Sequence, residues 1–367
     1  MKILSTYFSL LFISMLHLSC IKQQPINSKL DKSNADTTYA TTLKFTTGIR
    51  AIFQDSQSRY WFGSLREGVA VYDGTSFTYF TVEDGLTDNQ IYHIQEDQEG
   101  VIWFDTQKGV SSYDGQSIKS YNNENKSFSN PLSPLQSQGI LQGKWQKTGN
   151  ELWFGAGIQE GVYRYDGQQM TYLPFPPHKK LNLIDNLFAI TCISKGQNNM
   201  IWLGTYAGVF GYDGKDFTII NDDTLGYDRI IEQLHIRSML EDSKGRLWLG
   251  NNGIGVLLRQ GNLITNFSEA NNLIHPTSKR NGDKSPRNTM EHVFTIAEDS
   301  KGNIWFGDRD AGIWKYNGEL MTNYSLKDGI SNDFALSIFE DNTGNLWFGM
   351  ADGTVYIFDG NRFESAF

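Results

Sequence analysis

The sequence predicts an all-β fold, a single seven-bladed β-propeller made of four-stranded antiparallel blades. Two observations support this prediction. A W-[FL]-[GD] triplet recurs at intervals of 42 to 57 residues, and each copy lies in the same order of strand-like segments and glycine-rich turns. Repeats of roughly 40 to 50 residues with four strands each are typical of propeller blades. Seven copies therefore predict seven blades across residues 42–367, at Trp61, Trp103, Trp153, Trp202, Trp248, Trp305 and Trp347.

The copy around Trp305 shows the predicted plan of one blade. A strand A ends before the turn that starts at Asp299, strand B contains Trp305, a glycine loop leads to strand C, and Asn317-Gly318 turns the chain into strand D. Other copies have Asp-Gly at this last position, a pair that predicts tight type I′ hairpins. The fifth copy has Arg259-Gln260-Gly261-Asn262 there, and we expect a longer turn.

The repeated Trp and Asp residues each have a functional and a structural interpretation. The Trp could stack on a ligand, but its recurrence in every copy favours packing between neighbouring blades. The turn Asp could bind calcium, yet each turn offers one Asp whereas calcium requires several converging oxygens. We therefore predict that the Asp accepts hydrogen bonds from amides of its own turn, and that the protein has no metal site and no cofactor. The turn residues are Asp55, Asp97, Asp242, Asp299 and Asp341.

The first 20 residues predict an export signal. Lys2 precedes an apolar run from Ile3 to Leu18, and Cys20 stands where cleavage is expected. This arrangement resembles a bacterial lipoprotein signal, which implies lipidation of the Cys20 thiol. The position three residues before the cysteine departs from the usual pattern, because it is His17 rather than Leu, Val or Ile. Simple secretion and an uncleaved anchor are the alternatives.

The segment after the signal, residues 21–41, is polar and aperiodic and predicts a flexible tether. We expect an exported monomer that is lipid-anchored in the cell envelope, at the periplasm or the outer membrane. Cys192, the second of two cysteines, lies in a strand pattern and predicts a buried thiol. The net charge of −9 and the absence of a basic stripe exclude a nucleic-acid surface.

The repeats resemble the two-component regulator propeller repeat. The likeness rests on the acidic turn, the Trp triplet, a G-[VIL]-x-x-[YF]-[DN] segment, and the D-G-[LI] motifs Asp84-Gly85-Leu86 and Asp328-Gly329-Ile330. This resemblance implies a role like that of the periplasmic sensor half of hybrid histidine kinases, which responds to carbohydrates. We expect no phosphotransfer by this polypeptide alone, because the sequence stops seven residues after Gly360.

Closure of the ring has two possible forms. The segment TTLKFTT, residues 41–47, is strand-like and could pair on the outside of the last blade. Alternatively, RFESAF at residues 362–367 completes that blade alone. The sequence leaves both open.

Loop lengths predict which face carries the site. In an antiparallel meander the B-to-C and D-to-A connections share one face of the disc. Binding residues concentrate in loops that vary over a rigid scaffold, so we place the site on this face, over the central channel. The insertions fall at about 122–138, 174–187, 221–234 and 266–291 on this face, with a small exception at 195–199 on the other.

Strand A is the innermost strand of a propeller blade, so its first residues predict the lining of the channel mouth. Arginine offers bidentate hydrogen bonds to carboxylates or sugar hydroxyls, and aromatic rings stack on sugar faces. For each residue, a structural role at a hydrated channel mouth is the alternative. Counting back from the turn Asp gives Arg50, Tyr92, His235, Arg237 and His292, and loops of the same face add Arg66, Tyr206, Asp308 and Arg309.

Three functions compete. The first is non-catalytic binding of a glycan, a small molecule or an envelope protein. The second is a propeller lyase resembling streptogramin lyase, in which His235 and His292 would act. No acidic residue recurs beside these histidines and no HExxH spacing occurs, so we predict that the protein is not an enzyme. The third is a purely structural scaffold for another envelope protein.

Overall fold

The computed structural model describes residues 41–122, 150–157, 160–176, 188–227, 234–278 and 284–367. The predicted signal peptide with Cys20, and the predicted tether except its last residue, lie outside these ranges. Cys192 is a free, buried thiol, as predicted. Within the described ranges, no helix has both the length and the apolar character needed to cross a membrane.

The described residues form seven antiparallel sheets, each built from consecutive strands, which confirms the seven-bladed propeller. Three strands are described for blade 3 and four for every other blade. Blades 1 to 3 consist of Ile49–Gln54 (β1), Tyr60–Ser64 (β2), Val69–Tyr72 (β3), Phe77–Phe80 (β4); Ile91–Glu96 (β5), Ile102–Thr106 (β6), Gly109–Tyr113 (β7), Ile118–Tyr121 (β8); and Leu152–Phe154 (β9), Gly161–Tyr165 (β10), Met170–Pro174 (β11).

Blades 4 to 7 repeat the four-stranded meander. Their strands are Ile190–Lys195 (β12), Ile201–Thr205 (β13), Gly208–Tyr212 (β14), Phe217–Asn221 (β15); Ile236–Glu241 (β16), Leu247–Asn251 (β17), Val256–Gln260 (β18), Leu263–Asn266 (β19); Val293–Glu298 (β20), Ile304–Asp308 (β21), Ile313–Tyr316 (β22), Met321–Tyr324 (β23); and Ala335–Glu340 (β24), Leu346–Met350 (β25), Val355–Phe358 (β26), Phe363–Ser365 (β27). Short helical turns in the described connections are Val82–Asp84, Gln197–Asn199, Asp222–Leu225, Phe267–Ala270 and Leu326–Asp328.

The ring closes between blade 7 and blade 1, where β24 lies against β1. Strand β27 pairs with β26, so the segment after Gly360 completes blade 7 by itself. Residues 41–47 form no strand. Phe45 instead packs with Phe62 and Trp347 in the core between the two blades, and the backbone amides of Thr46 and Thr47 donate to Glu67. The second of the two closure alternatives is therefore the one observed.

Trp305 packs against the neighbouring blade and Asp299 accepts hydrogen bonds within its own turn, as the repetition predicted. The Trp305 ring is fully buried and meets the rings of Phe348 and Phe358 in blade 7. Its Nε1 donates to Asp299 Oδ2 at 2.8 Å, while Asp299 Oδ1 accepts from the backbone amide of Lys301 at 3.0 Å. The same Trp-to-Asp hydrogen bond occurs in four further blades, in the pairs Trp61–Asp55, Trp103–Asp97, Trp248–Asp242 and Trp347–Asp341.

The Asp-Gly hairpins form, but the predicted type I′ turn is wrong. In blade 1, Tyr72 pairs with Phe77, so the loop has four residues, and only Gly74 of the Asp-Gly pair has a positive φ, of 94°. Asp73 Oδ1 accepts from the amides of Thr75 and Ser76 at 2.8 Å each, a side-chain cap that replaces the tight turn.

The fifth blade also differs from expectation. Gln260 pairs directly with Leu263, so its turn has two residues and is shorter than the others, not longer.

Candidate functional site

A β-bulge recurs near the start of every innermost strand that the structure describes. In each, the pairing with strand B passes from the first residue to the third and leaves the second without a partner. A bulge redirects the side chain of the extra residue. The six bulged residues all line a cavity at the centre of the ring, and they are Arg50, Tyr92, Thr191, Arg237, Phe294 and Leu336.

The cavity has a volume of about 450 Å³, within the range of small-molecule sites. Its upper tier, at the strand starts, is formed by the bulged residues. Two residues further along each strand, a second tier is entirely apolar. The members of this apolar ring are Ile52, Ile94, Ile193, Met239, Ile296 and Ile338.

Arg50 reaches across the mouth of this cavity. Its guanidinium lies 4.2 Å from the ring centroid of Tyr92, and its Nη2 donates to the carbonyl of Thr191 at 3.3 Å. Thr191 belongs to blade 4, so one side chain from blade 1 links three blades. Stacking of a guanidinium on an aromatic face stabilises this position.

Arg237 enters the mouth from blade 5. Its guanidinium lies over two aromatic rings, 5.0 Å from the centroid of Tyr206 and 4.9 Å from that of Phe294. The Tyr206 ring contacts His235 edge-on at 4.8 Å. Arg237 Nε and His235 Nε2 are both buried without a hydrogen-bond partner. Five of the nine predicted residues thus converge, namely Arg50, Tyr92, Tyr206, His235 and Arg237.

The other four predicted residues lie elsewhere. Arg66 is exposed on the loop after β2. Asp308 is fully buried and accepts from the backbone amides of His292 at 2.9 Å and Asp310 at 2.7 Å. Burial raises the pKa of Asp308 to about 7 despite these hydrogen bonds.

His292 and Arg309 belong to the same network as Asp308. Arg309 pairs with Asp310 at 2.7 Å, and His292 Nδ1 lies 2.8 Å from Asn252 Oδ1. These contacts join the connection between blades 5 and 6 to the loop after β21. Their partners are protein groups, which favours the structural alternative for this trio.

Blade 2 contains a feature that sequence reasoning missed. In five other blades the residue after the bulge is small and stands opposite the glycine of the Trp triplet, as in Ala51 and Gly63. In blade 2 the pair is His93 and Asp105. The available signal was the triplet Trp103-Phe104-Asp105, in which Asp replaces Gly.

The Asp105 carboxylate joins blade 2 to blade 3. Its two oxygens accept from the amides of Gly155 and Ala156 at 2.8 Å each. Burial raises its pKa to about 7, and the charge of Arg50 partly opposes that rise. Both carboxylate oxygens of Asp105 are therefore hydrogen-bonded to the backbone of blade 3.

The channel mouth carries positive charge. Burial lowers the pKa of His93 to about 4 and that of His235 to about 3, with nearby arginines acting in the same direction, so both rings are neutral at pH 7. The His93 side chain is half-buried and lines the central cavity. Arg50 and Arg237 form no ion pair with the described residues. The site is thus cationic in a chain of net charge −9.

We expect these histidines to make the fold acid-sensitive. Their folded pKa values lie below the ordinary 6.5, so the unfolded chain binds more protons between pH 6.5 and about 4. Their contribution to stability is complete above pH 6.5 and is lost as the pH falls through this window. The double variant His93→Gln/His235→Gln should lose less stability than the parent between pH 7 and pH 5, measured by urea unfolding.

Asp105 and Asp308 act in the opposite direction, because their raised pKa values favour the fold at low pH. The test therefore compares how much free energy of unfolding the parent and the double variant each lose between pH 7 and pH 5. Equal losses in parent and variant would contradict the assignment.

The comparisons with known proteins agree with the propeller fold. The model of the family described as "Two component regulator propeller" matches residues 85–108, 231–253, 289–310 and 329–352. Each match runs from the end of a D-to-A connection through the innermost strand to the end of strand B or just beyond. Two of the matches start at the glycine of a D-G-[LI] motif, Gly85 and Gly329. These glycines take positive φ values of 108° and 97°, and the next residues, Leu86 and Ile330, are buried. No curated protein sequence matches the chain.

Three solved structures show the same fold at low identity. The extracellular domain of the hybrid two-component system BT3049 from B. thetaiotaomicron is 19% identical with a TM-score of 0.60, covering 86% of this chain and 39% of that one. A catalytically inactive H270A virginiamycin B lyase from Staphylococcus aureus, crystallised with quinupristin, is 15% identical with a TM-score of 0.59, covering 86% and 96%. PorZ of the type-IX secretion system of Porphyromonas gingivalis is 16% identical with a TM-score of 0.55, covering 87% and 46%.

The chain therefore spans about two fifths of the length of the sensor ectodomain that it matches. Three observations agree on a repeated propeller blade. They are the fold, the four family-model matches, and the repeated D-G-[LI] and Trp motifs. The protein is a seven-bladed β-propeller, and four of its segments match the two-component regulator propeller model.

Proposed function

We propose that this protein is a non-catalytic binding module of the cell envelope that takes a glycan fragment or another small ring compound at the mouth of its central channel. The observation that carries the proposal is a cavity of about 450 Å³ that is lined by Arg50, Tyr92 and Arg237. Tyr206 contacts Arg237 beside this cavity, and His235 contacts Tyr206. Stacking faces and unpartnered N–H groups meet there, which is the combination that sugar rings require.

The relatives support an envelope role without naming the ligand. One is the extracellular domain of a two-component system, and another is a surface component of a secretion system. We propose that the protein is exported and anchored through a lipid on Cys20. If the Cys20→Ser variant still incorporates labelled palmitate, the lipid is not on Cys20 and this proposal is wrong. An envelope protein as the bound partner is the second candidate.

A lyase activity receives less support from the channel chemistry. In the similar lyase, a histidine-to-alanine variant is described as catalytically inactive. Here His235 has a pKa near 3 because of burial and the nearby Arg237, which makes it a weak base at pH 7. Among the described residues, no group of three or more His, Cys, Asp or Glu is arranged to hold a metal ion.

A glycan array followed by calorimetry of each hit tests the proposal. We expect at least one oligosaccharide to bind, and Tyr92→Leu to weaken it at least about tenfold, because stacking on the ring is lost. Tyr79→Leu, on the outer strand β4, is the control and should bind normally. An array without signal, together with a pull-down that recovers one stoichiometric envelope protein, would favour the partner-binding alternative.

A further inference from the structure

The charge at the channel mouth has no counterpart among the residues that the structure describes. Burial lowers the pKa values of both Arg50 and Arg237, and the charge of Arg50 further lowers the pKa of Arg237. Neither forms an ion pair with a described carboxylate. An unpaired, desolvated cation costs free energy, and such an arrangement is retained where an anion from outside completes it.

The acidic residue that comes nearest to serving this role is already occupied. Asp105 acts on Arg50 electrostatically, yet both of its oxygens accept from the amides of Gly155 and Ala156 at 2.8 Å. Asp105 also does not line the cavity, so it does not meet the two guanidiniums there. No carboxylate of the described ranges supplies the missing charge, and a ligand that carries an acidic group would supply it.

The two guanidiniums also present the right hydrogen-bonding edges. The Arg50 guanidinium lies over the Tyr92 ring, and that of Arg237 lies over the rings of Tyr206 and Phe294. A guanidinium that stacks on a ring keeps its in-plane N–H groups for hydrogen bonds. Arg50 uses one of these for the Thr191 carbonyl, and Arg237 Nε is buried without a partner. A carboxylate accepts two parallel N–H groups from such an edge, with a match that a neutral hydroxyl does not reach.

The surroundings define the rest of the ligand. The aromatic rings of Tyr92, Tyr206, Phe294 and Phe334 surround the upper tier, and the apolar ring lies beneath it. The volume of about 450 Å³ admits one or two six-membered rings. A clustered positive charge in a concave, low-dielectric site also focuses the field and raises the local concentration of anions, even on an acidic protein.

We infer that the channel mouth selects a ring compound that carries a carboxylate, a sugar acid or an aromatic acid, with Arg50 and Arg237 binding the carboxylate and the neighbouring aromatic residues stacking on the ring. This selectivity rests on the proposed function and deepens it. Neutral sugars are then poor ligands of the site.

Calorimetry with two matched pairs of probes tests the inference on the purified full-length protein. The first pair is cellobiouronate and cellobiose, and the second is 4-hydroxybenzoate and 4-hydroxybenzyl alcohol. We expect the acid of at least one pair to bind at least about tenfold tighter than its neutral partner at low salt, with the preference falling as salt rises. The pair that shows the preference separates a sugar source from an aromatic one.

Arg237→Gln should abolish the preference without lowering the unfolding midpoint, because it removes an unpaired buried charge. Arg50→Gln provides a second variant should the first fail to fold. Arg66→Gln is the matched control, since Arg66 is an exposed arginine on the same face, and it should retain the full preference.

Three results would overturn the inference: acids binding no better than their neutral partners, no probe binding, or Arg66→Gln losing as much as Arg237→Gln. Neutral probes that bind and are weakened by Tyr92→Leu would leave the proposed function standing while charge selectivity fails. Acid binding that is insensitive to both Tyr92→Leu and Arg237→Gln would place the site elsewhere and reject both.

Discussion

Asp299→Ala is expected to lower the free energy of unfolding by about 3 kcal/mol. The Asp299 carboxylate accepts from the backbone amides of Lys301 and Asn303, from Asn303 Nδ2 and from Trp305 Nε1, at 2.7 to 3.0 Å. The variant loses these charge-assisted hydrogen bonds and leaves a buried indole N–H without its acceptor, a group whose desolvation is then uncompensated.

The measurement is urea unfolding of the parent, Asp299→Ala and the control Asp73→Ala. Asp73 has the same residue type and also caps a turn, but it is exposed on an outer hairpin, so its loss should be at most about 1 kcal/mol. The hydrogen bonds lower the pKa of Asp299, so its contribution is present above pH 4 and is lost as the pH falls through its folded value. Similar losses for both variants at pH 7 would show that the Asp–Trp pair does not hold the blades.

Gly349→Ala is expected to cost about 3 kcal/mol, the upper end for overpacking by one methyl group. A Cβ at Gly349 would lie 2.3 Å from Ser337 Oγ and 2.7 Å from the Ile49 carbonyl oxygen. The second contact is with the backbone of β1, the first strand of the ring, so relief requires blade 7 and blade 1 to separate. Protein interiors are too closely packed to absorb such a shift without loss.

Thermal unfolding of Gly349→Ala beside Gly74→Ala checks this prediction. A Cβ at Gly74 would meet nothing within 4 Å, but φ is 94°, so its cost is backbone strain alone, roughly 1 to 2 kcal/mol. We also expect Ser337→Ala to rescue Gly349→Ala only in part, because the Ile49 contact remains. A Gly349→Ala protein at least as stable as Gly74→Ala would mean that the blades are not packed this closely.

The fold could be predicted from the sequence because its signals are local and repeated. The Trp triplet and the turn Asp recur in register, and repetition separates structural roles from functional ones. The turn type could not be predicted in the same way. The Asp73 carboxylate caps two amides of its own loop, and this side-chain chemistry overrides the backbone preference of an Asp-Gly pair.

The candidate site could be predicted in part. Counting from the turn Asp identified Arg50, Tyr92 and Arg237 as equivalent, and the structure gives the reason, because all three occupy the same β-bulge. The bulge itself is a property of pairing between two strands and leaves no mark in either strand alone. The same count leads to Phe294 and Leu336, apolar residues that a search for polar groups passed over.

The blade 2 exception was missed for a different reason. His93 and Asp105 lie 12 residues apart in sequence, and their replacement of the small residue and the glycine is visible only once β5 and β6 are paired. Each substitution alone looks like ordinary repeat variation. The pairing register of β5 with β6 therefore shows this exception, whereas composition and periodicity do not.

We propose that ligand binds at the channel mouth through Arg50 and Arg237. The most direct test records the ¹⁵N–¹H spectrum of the arginine side chains while the protein is titrated with the acid that calorimetry identifies. The variants Arg50→Gln and Arg237→Gln assign the two signals. The Nε–H signals of Arg50 and Arg237 should shift with saturation, whereas those of Arg259 and Arg362, on the outer parts of blades 5 and 7, should stay in place. Shifts confined to Arg259 or Arg362, with Arg50 and Arg237 unchanged, would contradict the claim.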